Sequence, residues 1–303
     1  MRKRSIGYIG LGQMGGAMAG HLIESGYPVT VYDINTQAVQ SFVDKGATAA
    51  TSPKDVAEQS EIVITCLPNP AIVESTALGD NGILQGLIPG KIYLDMSTIE
   101  PETTRKVGAA VHKKGAHMLD VPVGLTPGHA SRGELVLMIG GDKGIVQEVQ
   151  DVLDTLGTTH HYCGELGAGI TTKLINNLIA ISMNSLLAEA FTLAVKGGLD
   201  PEHMRQVILT TAAKSAAAEG SLLQVFERNF EPTFKLSLAH KDVGLAGQMA
   251  NALGVPNFVG AAVHQLQKLA MGKGLGDETP SAVIKVIEET AGITVQSDKH
   301  KEQ

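Results

Sequence analysis

A lysine and an asparagine share one helical face in a long apolar stretch of the second half of the chain. Lys173 and Asn177 are four residues apart, within a segment from Ile170 to Val195 that has no proline or glycine. A buried lysine is costly unless it is paired or functional, and burial or a second cation lowers its pKa. Such an amine suits general acid–base catalysis on an alcohol or a carbonyl. The alternative is a lysine in the first turn of a helix with its ammonium in solvent.

Three glycines near the amino terminus have the spacing of a dinucleotide-binding turn, Gly10-x-Gly12-x-x-Gly15. An apolar run stops at Gly10, and an amphipathic stretch follows almost at once. Gly10 would permit a tight turn, Gly12 would let a pyrophosphate approach the backbone, and Gly15 would allow close packing of helix on strand. The helix N-terminus would bind the phosphates. We therefore predict cofactor contacts from the whole turn, Gly10, Leu11, Gly12, Gln13, Met14 and Gly15.

A carboxylate follows the next apolar strand. Asp33 comes after Val29–Tyr32, close to the spacing of about 20 residues expected for an acid that binds the adenosine ribose. It would accept hydrogen bonds from the ribose hydroxyls and repel a 2′-phosphate, so we predict NAD(H) rather than NADP(H). The alternative is that Asp33 only caps the turn before Asn35.

Strands that alternate with helices in the first half predict a doubly wound, mainly parallel sheet. We predict an α/β Rossmann domain over residues 1–165 and an all-α domain over 166–303 with a long central helix that is apolar on too many sides for a surface helix. The tail after Gln296 is polar and expected to fray. Ligands of such sheets bind beyond the carboxyl ends of strands. The segments after the fourth and fifth strands should therefore border the cofactor, unless they are ordinary turns: Leu67, Pro68, Ser97 and Thr98.

Composition argues against several classes of binding partner. The chain has 303 residues and a net charge of −7, which argues against nucleic acid. Two distant cysteines, Cys66 and Cys163, favour a reduced, cytoplasmic protein. No continuous apolar run reaches the roughly 20 residues of a membrane span. No His/Cys cluster supports a metal, and the pair Lys241–Asp242 by itself could be an exposed helix face.

In combination, several motifs resemble those of the β-hydroxyacid dehydrogenase family, which includes 3-hydroxyisobutyrate dehydrogenase and the short glyoxylate and succinic semialdehyde reductases. The resemblance covers nearly the whole chain and rests on Gly10–Gly15, Asp120-Val121-Pro122-Val123, Gly167–Asn177 and Lys241-Asp242. It implies that Lys173 is the catalytic acid/base and that Asn177 orients the substrate. It also implies that Thr98 lies near the nicotinamide ribose and that Lys241 closes the site from the α-domain and contacts the cofactor. Relatives that reduce imines usually lack the lysine.

One segment departs from the family pattern. Where the family has Ser-Gly-Gly after Asp-x-Pro-Val, this chain has Gly124-Leu125-Thr126. The segment looks most like that of the sulfolactaldehyde reductase branch, which shares Asp-Val-Pro-Val-Gly-x-Thr but carries an arginine in place of Leu125. An arginine fork suits an anionic group. The resemblance implies that the substrate-binding residues are Ser97, Val123, Gly124, Leu125, Thr126 and Asn177.

These observations predict an NAD(H)-dependent oxidoreductase that interconverts a short, anionic hydroxy acid and its aldehyde. The activity would be like that of sulfolactaldehyde reductase or 3-hydroxyisobutyrate dehydrogenase, with succinic semialdehyde or glyoxylate reduction as the alternative. A non-catalytic NAD-binding scaffold is the alternative of another class, since fold does not imply function. The apolar central helix further predicts a homodimer or homotetramer.

Overall fold

A computed structural model describes residues 2–297 of the chain. The chain divides into two compact units, Met1–Lys173 and Leu174–Gln303, which are treated separately below. The sequence-based boundary at residue 165 stays a prediction.

The first unit contains one sheet, to which the described residues contribute nine strands. Its order is β3-β2-β1-β4-β5-β6-β8-β7, with β9 also paired to β8. The first six positions repeat the 3-2-1-4-5-6 order of dinucleotide-binding sheets. The strands are β1 Ile6–Ile9, β2 Val29–Tyr32, β3 Thr48–Ala49, β4 Ile62–Thr65, β5 Ile92–Asp95, β6 His117–Asp120, β7 Val123–Gly124, β8 Leu135–Gly140 and β9 Gly157–Gly164.

The strands from β3 to β6 are parallel, whereas β8 runs antiparallel to β6 and β7. The predicted fold class is therefore confirmed, with an antiparallel corner that sequence reasoning did not include. That reasoning also missed β3, β7 and β9. β3 and β7 have two residues each, and half of the β9 residues are solvent-exposed, so none of the three has the apolar run that marks β1 and β4.

Helices cover the sheet because the central strands are buried and need apolar surface on both faces. Asn35 caps α2 as predicted, its side chain accepting from the backbone N–H groups of Gln37 and Ala38. Pro101 opens α6, also as predicted. The helices are α1 Gln13–Glu24, α2 Thr36–Val43, α3 Pro53–Gln59, α4 Pro70–Leu78, α5 Ile83–Gly86, α6 Pro101–Lys113, α7 Pro127–Ala130, α8 Lys143–Glu148 and α9 Gln150–Leu156.

The second unit is helical. The long helix α10, Ala168–Lys196, begins in the first unit, and α11 to α15 follow it. A π-helical segment at Ala217–Ser221 precedes α12, and 3₁₀ turns span Leu275–Asp277 and Pro280–Val283. The remaining helices are α11 Pro201–Leu209, α12 Leu222–Phe226, α13 Leu236–Ala252, α14 Phe258–Gly272 and α15 Ile284–Ala291.

Part of the apolar surface of α10 is exposed in the single chain. Ile175, Ile179, Leu186 and Leu193 are 45, 61, 58 and 74% exposed. Only 39% of the most apolar 18-residue window of this helix is buried, and by length and composition it alone among the described residues could cross a membrane. Core helices of soluble proteins have the same length and composition, so the absence of a membrane partner stays a prediction.

The expected fraying after Gln296 is wrong at its first residue, because Ser297 is buried. Val295 is buried too, and its backbone N–H donates to the Glu288 carboxylate at 2.7 Å. The rest of the tail lies outside the described residues.

Candidate active site

The carboxyl ends of the parallel strands are level with one another at one edge of the sheet. Ile9 is in register with Thr65, Thr65 with Asp95, and Asp95 with Asp120. β1 lies between β2 and β4, where the strand order reverses, and open α/β sheets bind ligands at that point. The predicted cofactor and substrate segments of the first unit follow these strand ends.

The three glycines of the turn have different structural reasons. Gly10 has φ +96°, and a Cβ there would lie 2.4 Å from the Cys66 carbonyl oxygen. A Cβ on Gly15 would lie 2.0 Å from the carbonyl oxygen of Gly10. Gly12 has an ordinary φ of −64°, and a Cβ there would meet nothing within 4 Å. The protein itself therefore requires Gly10 and Gly15, while the open space at Gly12, at the N-terminus of α1, fits an approaching pyrophosphate.

Asp33 stabilises the glycine turn by hydrogen bonds to the backbone. Its Oδ2 accepts from the backbone N–H of Leu11 at 2.6 Å, and its Oδ1 accepts from that of Asn35 at 2.8 Å. The bond to Asn35 is the turn cap that the sequence left open as an alternative. A carboxylate has about four acceptor sites, so capacity remains for ribose hydroxyls, and that role stays a prediction.

A buried polar network lies beneath the segments after β4 and β5. Asp95 accepts from the Thr65 hydroxyl at 2.8 Å and from the Ser97 backbone N–H at 3.1 Å. The Ser97 hydroxyl in turn accepts from the Leu67 backbone N–H at 2.9 Å. Burial raises the pKa of Asp95. The network links the two segments and restricts Ser97, so Asp95 is a supporting residue that the sequence reasoning missed.

A second buried carboxylate fixes the start of α10. Asp120 accepts from the backbone N–H groups of Gly167 and Ile170, both at 2.7 Å, and burial raises its pKa. A Cβ on Gly140 would lie 2.3 Å from Asp120 Oδ1, and one on Gly169 would lie 2.7 Å from the Asp120 carbonyl oxygen. Lys173 lies within the next turn of this helix. Its side chain is half-buried, which is intermediate between the buried amine and the ammonium in solvent considered above. The sequence contained both motifs but no sign that they bond.

The departing segment begins as a strand and ends as a strained loop. Val123 and Gly124 pair with β8. Leu125 then has φ +79° with its side chain 55% exposed, a conformation that costs about 1–3 kcal/mol for a residue with a Cβ. The Thr126 hydroxyl is 2.8 Å from Nδ1 of His129, a partner that sequence reasoning did not name. An exposed apolar side chain held in a strained backbone is typical of a functional segment.

The second unit carries the other two predicted site residues. Asn177 on α10 is buried, and its Nδ2 donates to Oδ2 of Asp242 on α13 at 2.7 Å. Lys241 Nζ is 3.2 Å from Oδ1 of the same carboxylate. Asp242 is only 2% exposed, so the interpretation of Lys241–Asp242 as an exposed helix face is wrong for the aspartate. Sequence reasoning missed it because a Lys-Asp pair carries no sign of burial.

The structure thus distributes the predicted residues over both units. The first holds the glycine turn, Asp33, the segments after β4, β5 and β6, and Lys173; the second holds Asn177 and Lys241. Among residues 2–297 no group of three His, Cys, Asp or Glu side chains could hold a metal ion. The roles assigned to individual residues stay predictions.

The strand order and the glycine turn define a dinucleotide-binding fold. A family model described as the NAD-binding domain of 6-phosphogluconate dehydrogenase matches residues 5–167. A second, described as NAD-binding of NADP-dependent 3-hydroxyisobutyrate dehydrogenase, matches residues 167–287. A nicotinamide cofactor follows from both matches.

Similar proteins specify the class of enzyme more closely. The chain is 39% identical over 293 residues to 3-sulfolactaldehyde reductase of Escherichia coli, covering 96% of this chain and 98% of that one. It is 36% identical over 291 residues to 2-(hydroxymethyl)glutarate dehydrogenase of Eubacterium barkeri, covering 96% and 97%. A 3-hydroxyisobutyrate dehydrogenase of Mycobacterium tuberculosis, solved with L-serine, superposes with a TM-score of 0.88 at 28% identity, covering 94% of this chain and 99% of that one.

The chain therefore belongs to the β-hydroxyacid dehydrogenase family, as the motifs implied. It is an oxidoreductase that uses a nicotinamide cofactor on a hydroxy acid. The family assignment favours the enzyme over the non-catalytic scaffold.

Proposed function

We propose that this enzyme uses NAD(H) to interconvert a short β-hydroxy acid and its aldehyde, with Lys173 as the general acid/base. The observation that carries the proposal is the Asp120 contact to the first turn of α10. It ties the helix that bears Lys173 to the end of β6, at the ligand-binding edge of the sheet. Asn177 lies four residues further along the same helix, on the same face.

Within this proposal the bound nicotinamide supplies or accepts the hydride. Lys173 Nζ donates a proton to the carbonyl oxygen during reduction and removes the hydroxyl proton during oxidation. The amide of Asn177 holds the reacting oxygen by a hydrogen bond, and the backbone of Gly124–Thr126 meets the acidic end of the substrate. Orientation of this kind can supply several kcal/mol of the rate enhancement.

Preference for NADH over NADPH is part of the proposal. Asp33 supports it, because a carboxylate at this place repels a 2′-phosphate. The next residues, Ile34-Asn35-Thr36, contain no basic side chain that could bind that phosphate. The family model for residues 167–287 is named after an NADP-dependent enzyme, so the preference needs a direct measurement. We expect kcat/KM to be higher with NADH, and Asp33→Ser to reduce the ratio; equal values with both cofactors in the wild type would contradict the preference.

Leu125 favours a substrate that places a neutral or apolar group beside it, rather than a sulfonate. Its side chain is apolar and 55% exposed in the proposed substrate segment. A carboxylate with a short neutral or apolar substituent, such as 3-hydroxyisobutyrate or its semialdehyde, fits such a neighbour. The L-serine in the Mycobacterium tuberculosis relative is also a short β-hydroxy acid.

Sulfolactaldehyde reduction is the second candidate. The 39% identity to 3-sulfolactaldehyde reductase supports it, as does the shared Gly124-x-Thr126 pattern. The two candidates separate in a panel of semialdehydes assayed by NADH absorbance, with 3-sulfolactaldehyde, succinic semialdehyde and glyoxylate included. We expect Leu125→Arg to raise kcat/KM for the sulfonate. The same variant should lower kcat/KM for methylmalonate semialdehyde, the aldehyde that corresponds to 3-hydroxyisobutyrate. Wild-type activity highest on the sulfonate would reject the first candidate.

The catalytic assignment has its own test. We expect Lys173→Ala to abolish turnover while NADH binding, measured by fluorescence titration, stays nearly unchanged. Lys196→Ala, at the far end of the same helix, is the matched control and should leave turnover intact. Wild-type turnover by Lys173→Ala would reject the assignment. Loss of NADH binding together with turnover would show damage to the fold instead.

We also propose a cytoplasmic homodimer or homotetramer. Ile179, Leu186 and Leu193 repeat at seven-residue intervals along α10 and are exposed in the single chain, so a second copy could cover this stripe. Neither Cys66 nor Cys163 forms a disulfide, which supports a reducing compartment. Light scattering that gives a monomer mass would reject the assembly, and Leu186→Lys should shift an oligomer towards smaller species. Fractionation of cells with an antibody tests the location.

A further inference from the structure

A buried carboxylate joins α10 to α13 in the second unit. Asp242 is 2% exposed, and its Oδ2 accepts a hydrogen bond from Asn177 Nδ2 at 2.7 Å. The distance is that of a charge-assisted hydrogen bond, which is roughly twice as strong as a neutral one. Both partners are enclosed, so water does not compete for either.

This bond fixes which end of the Asn177 amide faces which way. A flipped amide would place its oxygen against the Asp242 carboxylate, where two acceptors repel each other. In the observed orientation Asn177 Oδ1 accepts from Nδ2 of Asn176 at 3.2 Å. An amide nitrogen has two N–H groups. One is directed to Asp242, and the second is the donor that Asn177 can offer to a substrate oxygen.

The helices around this bond have little freedom to move. Leu174 on α10 packs with Leu245 and Ala246 on α13 in one buried cluster. Two turns further along α10, Ile181 packs with Ala239 and other α13 and α14 residues in a second. The hydrogen bond lies between two apolar contacts, so a displaced acceptor cannot be restored by a small shift of either helix.

Lys241 is the other group close to this carboxylate. Its Nζ lies 3.2 Å from Asp242 Oδ1, but that oxygen accepts no hydrogen bond in good geometry from the described residues. The lysine side chain is 25% exposed, and its contact with Oδ1 lacks hydrogen-bond geometry, so it is less directional than the bond from Asn177. The better-defined interaction of Asp242 is therefore the one with Asn177.

We propose that Asp242 is a positioning residue for the reaction: it orients the Asn177 amide so that one N–H is directed at the reacting oxygen. This rests on the proposed role of Asn177. The geometry requires an acceptor at the position of Oδ2, and the charge that faces Lys241 is secondary.

Two substitutions of Asp242 separate the need for an acceptor oxygen from the need for a negative charge. Asp242→Asn keeps an acceptor oxygen and loses the charge, whereas Asp242→Glu keeps the charge and displaces the oxygen by one methylene. We expect kcat within about threefold of the wild type for Asp242→Asn, because one amide oxygen still satisfies Asn177. We expect kcat about 10- to 100-fold lower for Asp242→Glu, with NADH affinity unchanged, because misplacement by about 1 Å is costly in catalysis. The opposite order would assign Asp242 to Lys241 and overturn the proposal.

Glu288→Asp is the matched control. Glu288 is 5% exposed and bonded to Arg228 in the same unit, so the variant also moves a buried carboxylate by one methylene. It should lower the thermal midpoint and leave kcat within about threefold of the wild type. A loss of kcat equal to that of Asp242→Glu would show a general effect of disturbing the unit and overturn the proposal.

A double-mutant cycle connects the effect to Asn177. In an Asn177→Ala background, Asp242→Glu should lower kcat by less than about threefold further, because the group it orients is gone. Full additivity would overturn the proposal while leaving the role of Asn177 intact. Wild-type turnover by Asn177→Ala alone would instead remove the proposed role of Asn177, and the inference with it.

Discussion

The substitution Gly12→Ala adds one methyl group and tests cofactor binding separately from folding. The backbone at Gly12 has φ −64° and ψ −171°, which any residue adopts, and an added Cβ would meet nothing within 4 Å. The methyl group would therefore project into the space assigned to the pyrophosphate. Gly15→Ala is the contrasting change, since its Cβ would lie 2.0 Å from the Gly10 carbonyl oxygen.

The expected stability change for Gly12→Ala is small. Gly12 is the N-cap of α1, where alanine is the poorer residue by about 0.5–1 kcal/mol, while the loss of unfolded-state freedom returns about 0.4–1 kcal/mol. The net change should stay within about 1 kcal/mol, a shift of roughly 2–4 °C in Tm. For Gly15→Ala the Cβ and the carbonyl oxygen must move apart by about 1 Å, and overpacking of this kind costs about 1–3 kcal/mol.

For NADH binding the expected effect of Gly12→Ala is large, in contrast to its small effect on stability. Gly12→Ala should weaken NADH binding by at least about tenfold, or about 1.4 kcal/mol. NADH fluorescence titration gives the Kd, and circular dichroism melting without cofactor gives Tm. Gly272→Ala at the end of α14 is the control, because its Cβ also meets nothing within 4 Å; it should leave Kd unchanged and keep Tm equal or slightly higher. Wild-type NADH affinity in Gly12→Ala would refute the assignment of this turn to the pyrophosphate.

Three further variants test other parts of the structure. Asp120→Ala removes the acceptor of two buried N–H groups and should lower the free energy of unfolding by about 2–4 kcal/mol in urea, whereas a loss below about 0.5 kcal/mol would show that these bonds do not hold the start of α10. His240 and His264 stack at 4.1 Å, and burial, together with neighbouring cationic groups including Lys268, lowers the pKa of both. Because both folded-state pKa values lie below the unfolded value of about 6.5, the stability they contribute is present above that pH and is lost as pH falls through the folded-state values. Tm should therefore fall from about pH 7 to about pH 5 more in the wild type than in His264→Gln, and equal falls would contradict this origin. Leu125→Gly removes a side chain held at φ +79°, so Tm should stay equal or rise despite the entropy cost of glycine. A fall of more than about 1 kcal/mol in the free energy of unfolding would show that the Leu125 side chain stabilises the fold.

The elements with strong local patterns could be predicted from the sequence. The central strands are continuous apolar runs, and Asn35 and Pro101 are local helix-start signals, so their positions follow from short stretches of chain. The Gly10–Gly15 spacing likewise carries its meaning within six residues. The long helix was recognised because proline and glycine are absent from Ile170–Val195.

The supporting carboxylates could not be predicted, because their partners are distant in sequence. Asp120 bonds to residues 47 and 50 positions away, and Asp242 to one 65 positions away. No local pattern distinguishes a buried aspartate of this kind from an exposed one. The strain at Leu125 was equally hidden, since a leucine gives no sign of a positive φ.

The contacts of Asp120 have a consequence for how the family can diverge. Gly140 and Gly169 have no room for a side chain next to it, and Gly167, whose backbone N–H is one of its two donors, has φ +93°, which favours glycine. A change at any of these positions is harmful while the others stay as they are, so they are expected to persist as a set. Gly124, Leu125 and Thr126 take no part in that constraint. With this segment in its proposed substrate-binding role, substrate preference can change there by single substitutions, while the anchor of the lysine-bearing helix stays fixed.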